Sequence, residues 1–204
     1  MLFLKKPKEI EINYRYLVSE EIPIIVCDLP TQILKEVSSW VKFSKKIKNH
    51  PLADIKSHEN CAYREHGKYS RHNSYQCSID PNLIENSFWL AYTLRIAATL
   101  YGKSHRDFQL RKWDGHFDNY DIWTNFSYYG DCNPPHTHGG SLLGGVIYYK
   151  NHNHPTIFPN HDIEYEGKNG TMLLFPNDYV HAVDTQTKNK ERITIAFNIT
   201  EVKN

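Results

Sequence analysis

Between Trp123 and Ile199 the chain is cut into short β-rich runs by clusters of Gly, Pro, Asn and Asp. The runs are Trp123–Tyr129, Leu142–Tyr149, Thr156–Phe158, Thr171–Phe175, Tyr179–Val183 and Arg192–Ile199. Turn-forming stretches separate them: Gly130-Asp131, Asn151–Pro155, a polar loop from Phe158 to Asn169-Gly170, Pro176–Asp178 and the charged Gln186–Glu191. Gly supplies positive φ, Pro fixes φ and removes a donor, and Asn or Asp bond to their own backbone, so such clusters end strands. Many short strands at this spacing predict a jelly roll or barrel.

The N-terminal half reads as support for that barrel. Ile10–Val26 holds two short β-rich runs, and Pro23 argues for an edge position. Ile33, Leu34, Val37, Trp40 and Val41 recur at helical spacing, which predicts a helix on the barrel exterior. A second helix is expected from Asp80-Pro81 to Tyr101, stopped by Gly102 and apolar on most sides. Between the helices, Lys42–Gln76 reads as polar, irregular and basic, either a solvated face or an active-site lid. We expect a single domain over residues 1–204. Residues 1–112 would provide strands and two supporting helices, and residues 113–204 the jelly-roll core with the metal site.

With 204 residues, 40% of them hydrophobic, the chain can bury a core, and its net charge of +1 gives no drive toward nucleic acid or anionic lipid. No apolar run approaches membrane-spanning length, and Lys5-Lys6 cuts short the apolar start. Cys27, Cys61, Cys77 and Cys132 form no C-x-x-C pair. The expectation is a cytoplasmic protein with reduced thiols.

The chemistry concentrates in Asn133–Tyr149. There a loop carrying a Pro-Pro pair is expected to deliver His136-Thr-His138 onto the start of an apolar strand, with Gly139-Gly140 and Gly144-Gly145 following. On extended backbone, residues two apart share a face, so two imidazoles can aim at one point. A His-x-His pair is weak by itself, since the chain has 12 histidines. A second pair, His152-Asn-His154, sits in a polar turn and reads as surface loop. The stronger signal is His181, which lies on a strand expected to cross the barrel. In the last run, Arg192, Thr194, Ala196 and Asn198 share one face, and Ile193, Ile195, Phe197 and Ile199 share the other. An inward Arg192 and Thr194 would make a carboxylate clamp, because guanidinium matches carboxylate bidentately. An edge strand with Arg192 in solvent is the competing reading. Asn125, Ser127 and Tyr129 share a strand face and, with Tyr148, are further candidates for contacts to cofactor or substrate.

Three segments together resemble the 2-oxoglutarate/Fe(II)-dependent oxygenases. They are Pro135–Tyr149; Leu174–Pro176 with His181; and Glu191–Asn198. The resemblance is to the branch with a His-x-His motif and a terminal Arg-Ile-x-Ile-Ala-Phe-Asn strand. It covers roughly residues 120–200. It implies a mainly β fold with flanking helices and a double-stranded β-helix (jelly-roll, cupin-like) core. It also implies Fe(II) bound by His136 and His181, with 2-oxoglutarate gripped by Arg192 and Thr194. The wider superfamily places a carboxylate where His138 stands. His138 could be the third ligand, or Asp131, Asp178 or Asp184 could serve. In a third arrangement His138 would be the first ligand, with Gly140 in the carboxylate slot.

The activity so implied is hydroxylation. O₂ and 2-oxoglutarate are consumed and succinate is released. The substrate, a small molecule or peptide, is not legible, and its selectors are expected in Lys42–Gln76 and Asn151–Asn169. The alternatives are a cupin-type three-His metalloenzyme without 2-oxoglutarate, or a non-catalytic jelly-roll binding or structural module.

Overall fold

Alternation along the last strand, β12 (Arg192–Glu201), sets the layers of the molecule. The computed structural model describes residues 11–48, 75–112 and 120–202. Ile193, Ile195, Phe197 and Ile199 are at most 1% exposed and face a helical layer. Arg192, Thr194 and Asn198 are also buried, but on the opposite face, inside a barrel. A strand buried on both faces must lie mid-sheet, and β12 pairs with β7 (Leu143–Lys150) on one side and β5 (Ile122–Ser127) on the other.

The major sheet runs β1 (Arg15–Tyr16), β2 (Ile25–Asp28), β10 (Thr171–Pro176), β7, β12, β5 and β3 (Tyr75–Ser78). A further strand, β4 (Phe108–Leu110), pairs with the end of β12. The minor sheet runs β6 (Asn133–His136), β11 (His181–Val183), β8 (Thr156–Phe158) and β9 (Ile163–Tyr165). These pairings are antiparallel throughout. The fold is mainly β with flanking helices, a double-stranded β-helix, as the sequence predicts. Strands from both sides of residue 113 build its major sheet. Ile24, Val26, Tyr148, Phe158, Ile163, Leu173 and Phe175 fill part of the space inside it.

Helices α1 (Thr31–Lys48), α2 (Pro81–Ile84) and α3 (Phe88–Tyr101) supply the supporting layer. Trp89 of α3 meets Trp40 of α1 edge-on at 5.3 Å and Phe197 of β12 at 4.8 Å. Each large side chain so buried contributes about 1.5–3 kcal/mol. Phe197 can lie flat on the sheet only because residue 145 is glycine: a Cβ there would enter the ring.

Four expectations need correction. The helix expected from Pro81 to Tyr101 is two, because Ser87 accepts from Leu90 N and the Glu36 carboxylate accepts from Phe88 N (2.9 Å) and Trp89 N (3.0 Å). These acceptors satisfy the free N–H groups of a new helix start and place a negative charge at its positive end. The stretch expected to be irregular from Lys42 to Gln76 is helical to Lys48 and extended from Tyr75; the remainder lies outside the described residues. Residues 133–136, expected as a loop, form β6 despite two prolines, which an edge strand tolerates. The stretch between Phe158 and Asn169 contains β9, which pairs with β8.

Among the described residues, Cys27, Cys77 and Cys132 form no disulfide. No helix among them is long and apolar enough to cross a membrane.

Candidate metal centre

His136 on β6 and His181 on β11 are direct partners across an antiparallel pair. In such a pair, side chains on the same face lie close enough to converge. Their ring centroids are 4.3 Å apart. His138, two residues past His136, is held by its own N–H, which donates to Asn177 O (3.1 Å). Its ring lies 4.9 Å from that of His136 and 5.1 Å from that of His181. One nitrogen from each imidazole falls within 4.8 Å of the other two. Metal–imidazole bonds of about 2.1 Å set such nitrogens roughly 3–3.5 Å apart, a closure on the order of an ångström that ring rotation can supply, so the residues fit a metal ion. No carboxylate belongs to this cluster among the described residues. Asp131 instead accepts from Tyr128 N at 2.7 Å.

Two rings have their tautomers set by the backbone. His136 Nδ1 lies 2.8 Å from Pro134 O, and His181 Nδ1 lies 3.0 Å from Tyr179 O. A carbonyl can only accept, so each Nδ1 carries the proton and each Nε2 keeps its lone pair for a metal. His138 differs, since its Nδ1 lies 3.2 Å from the Asn198 side-chain nitrogen. Burial, aided by His136, pulls His181 down to about 3; burial, then His136 and Arg111, pulls His138 down to about 4. Both rings are therefore neutral at ordinary pH, as metal ligands must be.

The acid-binding candidates share the inner face of three adjacent strands. Asn125, Thr194 and Tyr148 form one row across β5, β12 and β7, and Ser127 stands opposite Arg192, whereas Tyr129 lies past the end of β5 and is exposed. Asn125 Nδ2 reaches Thr194 Oγ1 at 3.5 Å, while the Tyr148 hydroxyl bonds to Thr156 at 2.7 Å. Arg192 is 4% exposed. Burial lowers its pKa to about 10. Its Nε donates to Asn151 Oδ1 at 2.6 Å, and among the described residues no carboxylate lies within ion-pair distance of it. A buried cation without a counterion calls for an anionic ligand. The solvent-exposed edge reading of β12 is thereby excluded. Trp123, Val146 and Ala196 also face inward between the two groups, yet they are only half-buried, so the interior there is open.

No protein-family model and no curated protein matches the sequence. Solved structures do. The viral collagen prolyl hydroxylase of Paramecium bursaria Chlorella virus-1, in complex with 2-oxoglutarate, aligns at TM-score 0.57 and 17% identity, covering 88% of this chain and 96% of its own. A Pseudomonas putida prolyl-4-hydroxylase aligns at 0.55 and 13%, covering 89% and 94%. HygX from Streptomyces hygroscopicus, with nickel and 2-oxoglutarate bound, aligns at 0.51 and 8%, covering 89% and 83%. The chain has the fold of the 2-oxoglutarate/Fe(II) oxygenases.

Within this oxygenase fold, several residues around the centre carried no signal in the sequence. Arg111, just past β4, donates from Nη1 to Gly139 O (2.6 Å) and so pins the turn after His138. Asp121, raised by burial, accepts from Asn198 Nδ2 at 2.6 Å. Asn198 thereby links a buried carboxylate to His138. It stands in the terminal-strand motif, so only its role was hidden. Trp123 stacks on the His138 ring at 5.9 Å. The other His-x-His pair is structural: His152 Nε2 bonds to Glu191 O (3.1 Å) and His154 Nε2 to Asp184 O (2.7 Å).

Proposed function

We propose that the protein is a non-haem Fe(II), 2-oxoglutarate-dependent oxygenase acting as a hydroxylase. In this reading His136, His138 and His181 hold Fe(II), and Arg192 with Thr194 grips the distal carboxylate of 2-oxoglutarate. Asn125, Ser127 and Tyr148 line the same interior. Bound iron with 2-oxoglutarate and O₂ supplies the oxidising power for C–H hydroxylation, with succinate and CO₂ as the other products. The protein's own part is positional. Backbone carbonyls orient the imidazoles of His136 and His181, burial keeps the rings of His138 and His181 neutral, and the barrel buries the guanidinium that would meet the acid.

The observation that carries the reading is Arg192. A guanidinium buried to 4% exposure, with no carboxylate partner among the described residues, faces the interior onto which the three imidazoles also open. An all-imidazole set also fits a cupin-type metalloenzyme that needs no keto acid. Succinate formation separates the two. Purified protein with Fe(II), O₂ and 2-oxoglutarate should release succinate slowly without added substrate. Arg192→Ala should abolish this at sub-saturating 2-oxoglutarate. Absence of succinate from the iron-loaded wild type would reject the oxygenase reading.

A further inference from the structure

Arg192 is steered by a residue from outside its own sheet position. Asn151 follows β7, at a turn where His152 and Asn153 adopt positive φ (58° and 59°), and it is fully buried. Its Nδ2 lies within hydrogen-bond reach of three carbonyls: His154 O (2.8 Å), Glu166 O (2.8 Å) and Gly167 O (2.9 Å). Its own N–H donates to Asn169 Oδ1 at 2.7 Å. Reversing the amide would turn its oxygen onto three carbonyl oxygens, with no donor between them. The ring of acceptors therefore fixes which end of the amide faces outward. That end is Oδ1, and it takes the Arg192 Nε–H at 2.6 Å.

We propose that Asn151 is a positioning residue for the acid cosubstrate. It occupies the Nε edge of the Arg192 guanidinium, so that the two Nη groups form the edge left for a carboxylate. A planar fork offers its bidentate contact along one edge at a time, so fixing Nε selects the approach direction of the acid. Fixing it in advance also removes rotamer entropy that binding would otherwise lose. A charged, buried side chain with five donors would otherwise rotate among several partial solutions. The inference rests on the cosubstrate reading above only for the identity of the acid. The hold on Nε is independent of it.

The alternative role for Asn151 is a clamp on the turn and nothing more. Asn169→Ala is the control for that role: it removes an acceptor from the same turn without touching the guanidinium. The first measurement is hydrogen exchange at the Arg192 Nε–H, read by NMR in ligand-free protein. Wild type should show a protected Nε–H. Asn151→Ala should exchange it at least tenfold faster, and Asn169→Ala should leave it unchanged. The second is titration of Mn(II)-loaded protein with 2-oxoglutarate by calorimetry. Asn151→Ala should weaken binding about tenfold, and Asn169→Ala should match wild type. An unprotected Nε–H in wild type overturns the inference without any variant, so it stays testable if Asn151→Ala fails to fold. Equal losses in the two variants also overturn it. If wild type binds no 2-oxoglutarate, the cosubstrate reading fails, and the exchange measurement alone then decides for or against the hold of Asn151 on Arg192.

Discussion

Replacing Arg192 by methionine separates a ligand-binding arginine from a structural one. The side chain keeps its length and loses its charge. Burial lowers the pKa of Arg192 from its ordinary value to about 10. At ~1.4 kcal/mol per unit, the fold carries roughly 3 kcal/mol to keep the guanidinium charged at neutral pH. Arg192→Met recovers that amount. It gives up the charged hydrogen bond to Asn151 and leaves Oδ1 of Asn151 unpaired, together about 2–4 kcal/mol. The two nearly cancel, so the variant should unfold in urea within about 2 kcal/mol of wild type, whereas breaking a true buried ion pair costs about 3–5 kcal/mol. Ligand response should differ sharply. Saturating 2-oxoglutarate at one hundred times Kd stabilises the metal-loaded wild type by ~2.7 kcal/mol, a Tm rise on the order of 5–10 °C for a chain this size. Arg192→Met should show a rise of less than about 1 °C under the same conditions. A variant destabilised by more than about 4 kcal/mol, or one retaining the full ligand shift, would refute the reasoning.

Two further outcomes follow from packing and charge. Gly145→Ala drives a Cβ into the Phe197 ring, which Trp89 backs at 4.8 Å and which therefore cannot retreat. It should lower unfolding stability by about 2–3 kcal/mol in denaturant titration, and an unchanged midpoint would contradict the packing. The metal-free protein should weaken in acid. The folded-state pKa of His181 lies at about 3 against an ordinary 6.5, so its contribution is fully present above pH 6.5 and lost as pH falls toward 3. By pH 5 the loss from this ring alone is roughly 2 kcal/mol. His181→Phe should flatten this part of the stability–pH profile, and an unaltered slope would show that the ring is not buried neutral.

What the sequence disclosed was whatever depends on local period. The two faces of Arg192–Ile199 follow from strict alternation, and the convergence of His136 and His138 follows from their spacing of two. What it hid depends on partners far along the chain. The break before α3 comes from Glu36, which sits on another helix and carries no mark of its contact with Phe88 and Trp89. Two prolines concealed β6, because only the sheet order reveals that this strand is an edge. Asn151 looked like one turn residue among several. Its three carbonyl partners and Arg192 come together only in the folded barrel. Arg111 followed a strand of three residues, too short to stand out from its surroundings.

The most direct test of the central claim is an anaerobic visible spectrum of the protein with Fe(II), recorded before and after 2-oxoglutarate. A keto acid chelating the iron held by His136, His138 and His181 should give a weak charge-transfer band. The band should saturate with added 2-oxoglutarate, vanish in His181→Ala, and need far more 2-oxoglutarate in Arg192→Met. A wild-type spectrum that 2-oxoglutarate leaves unchanged would contradict the account.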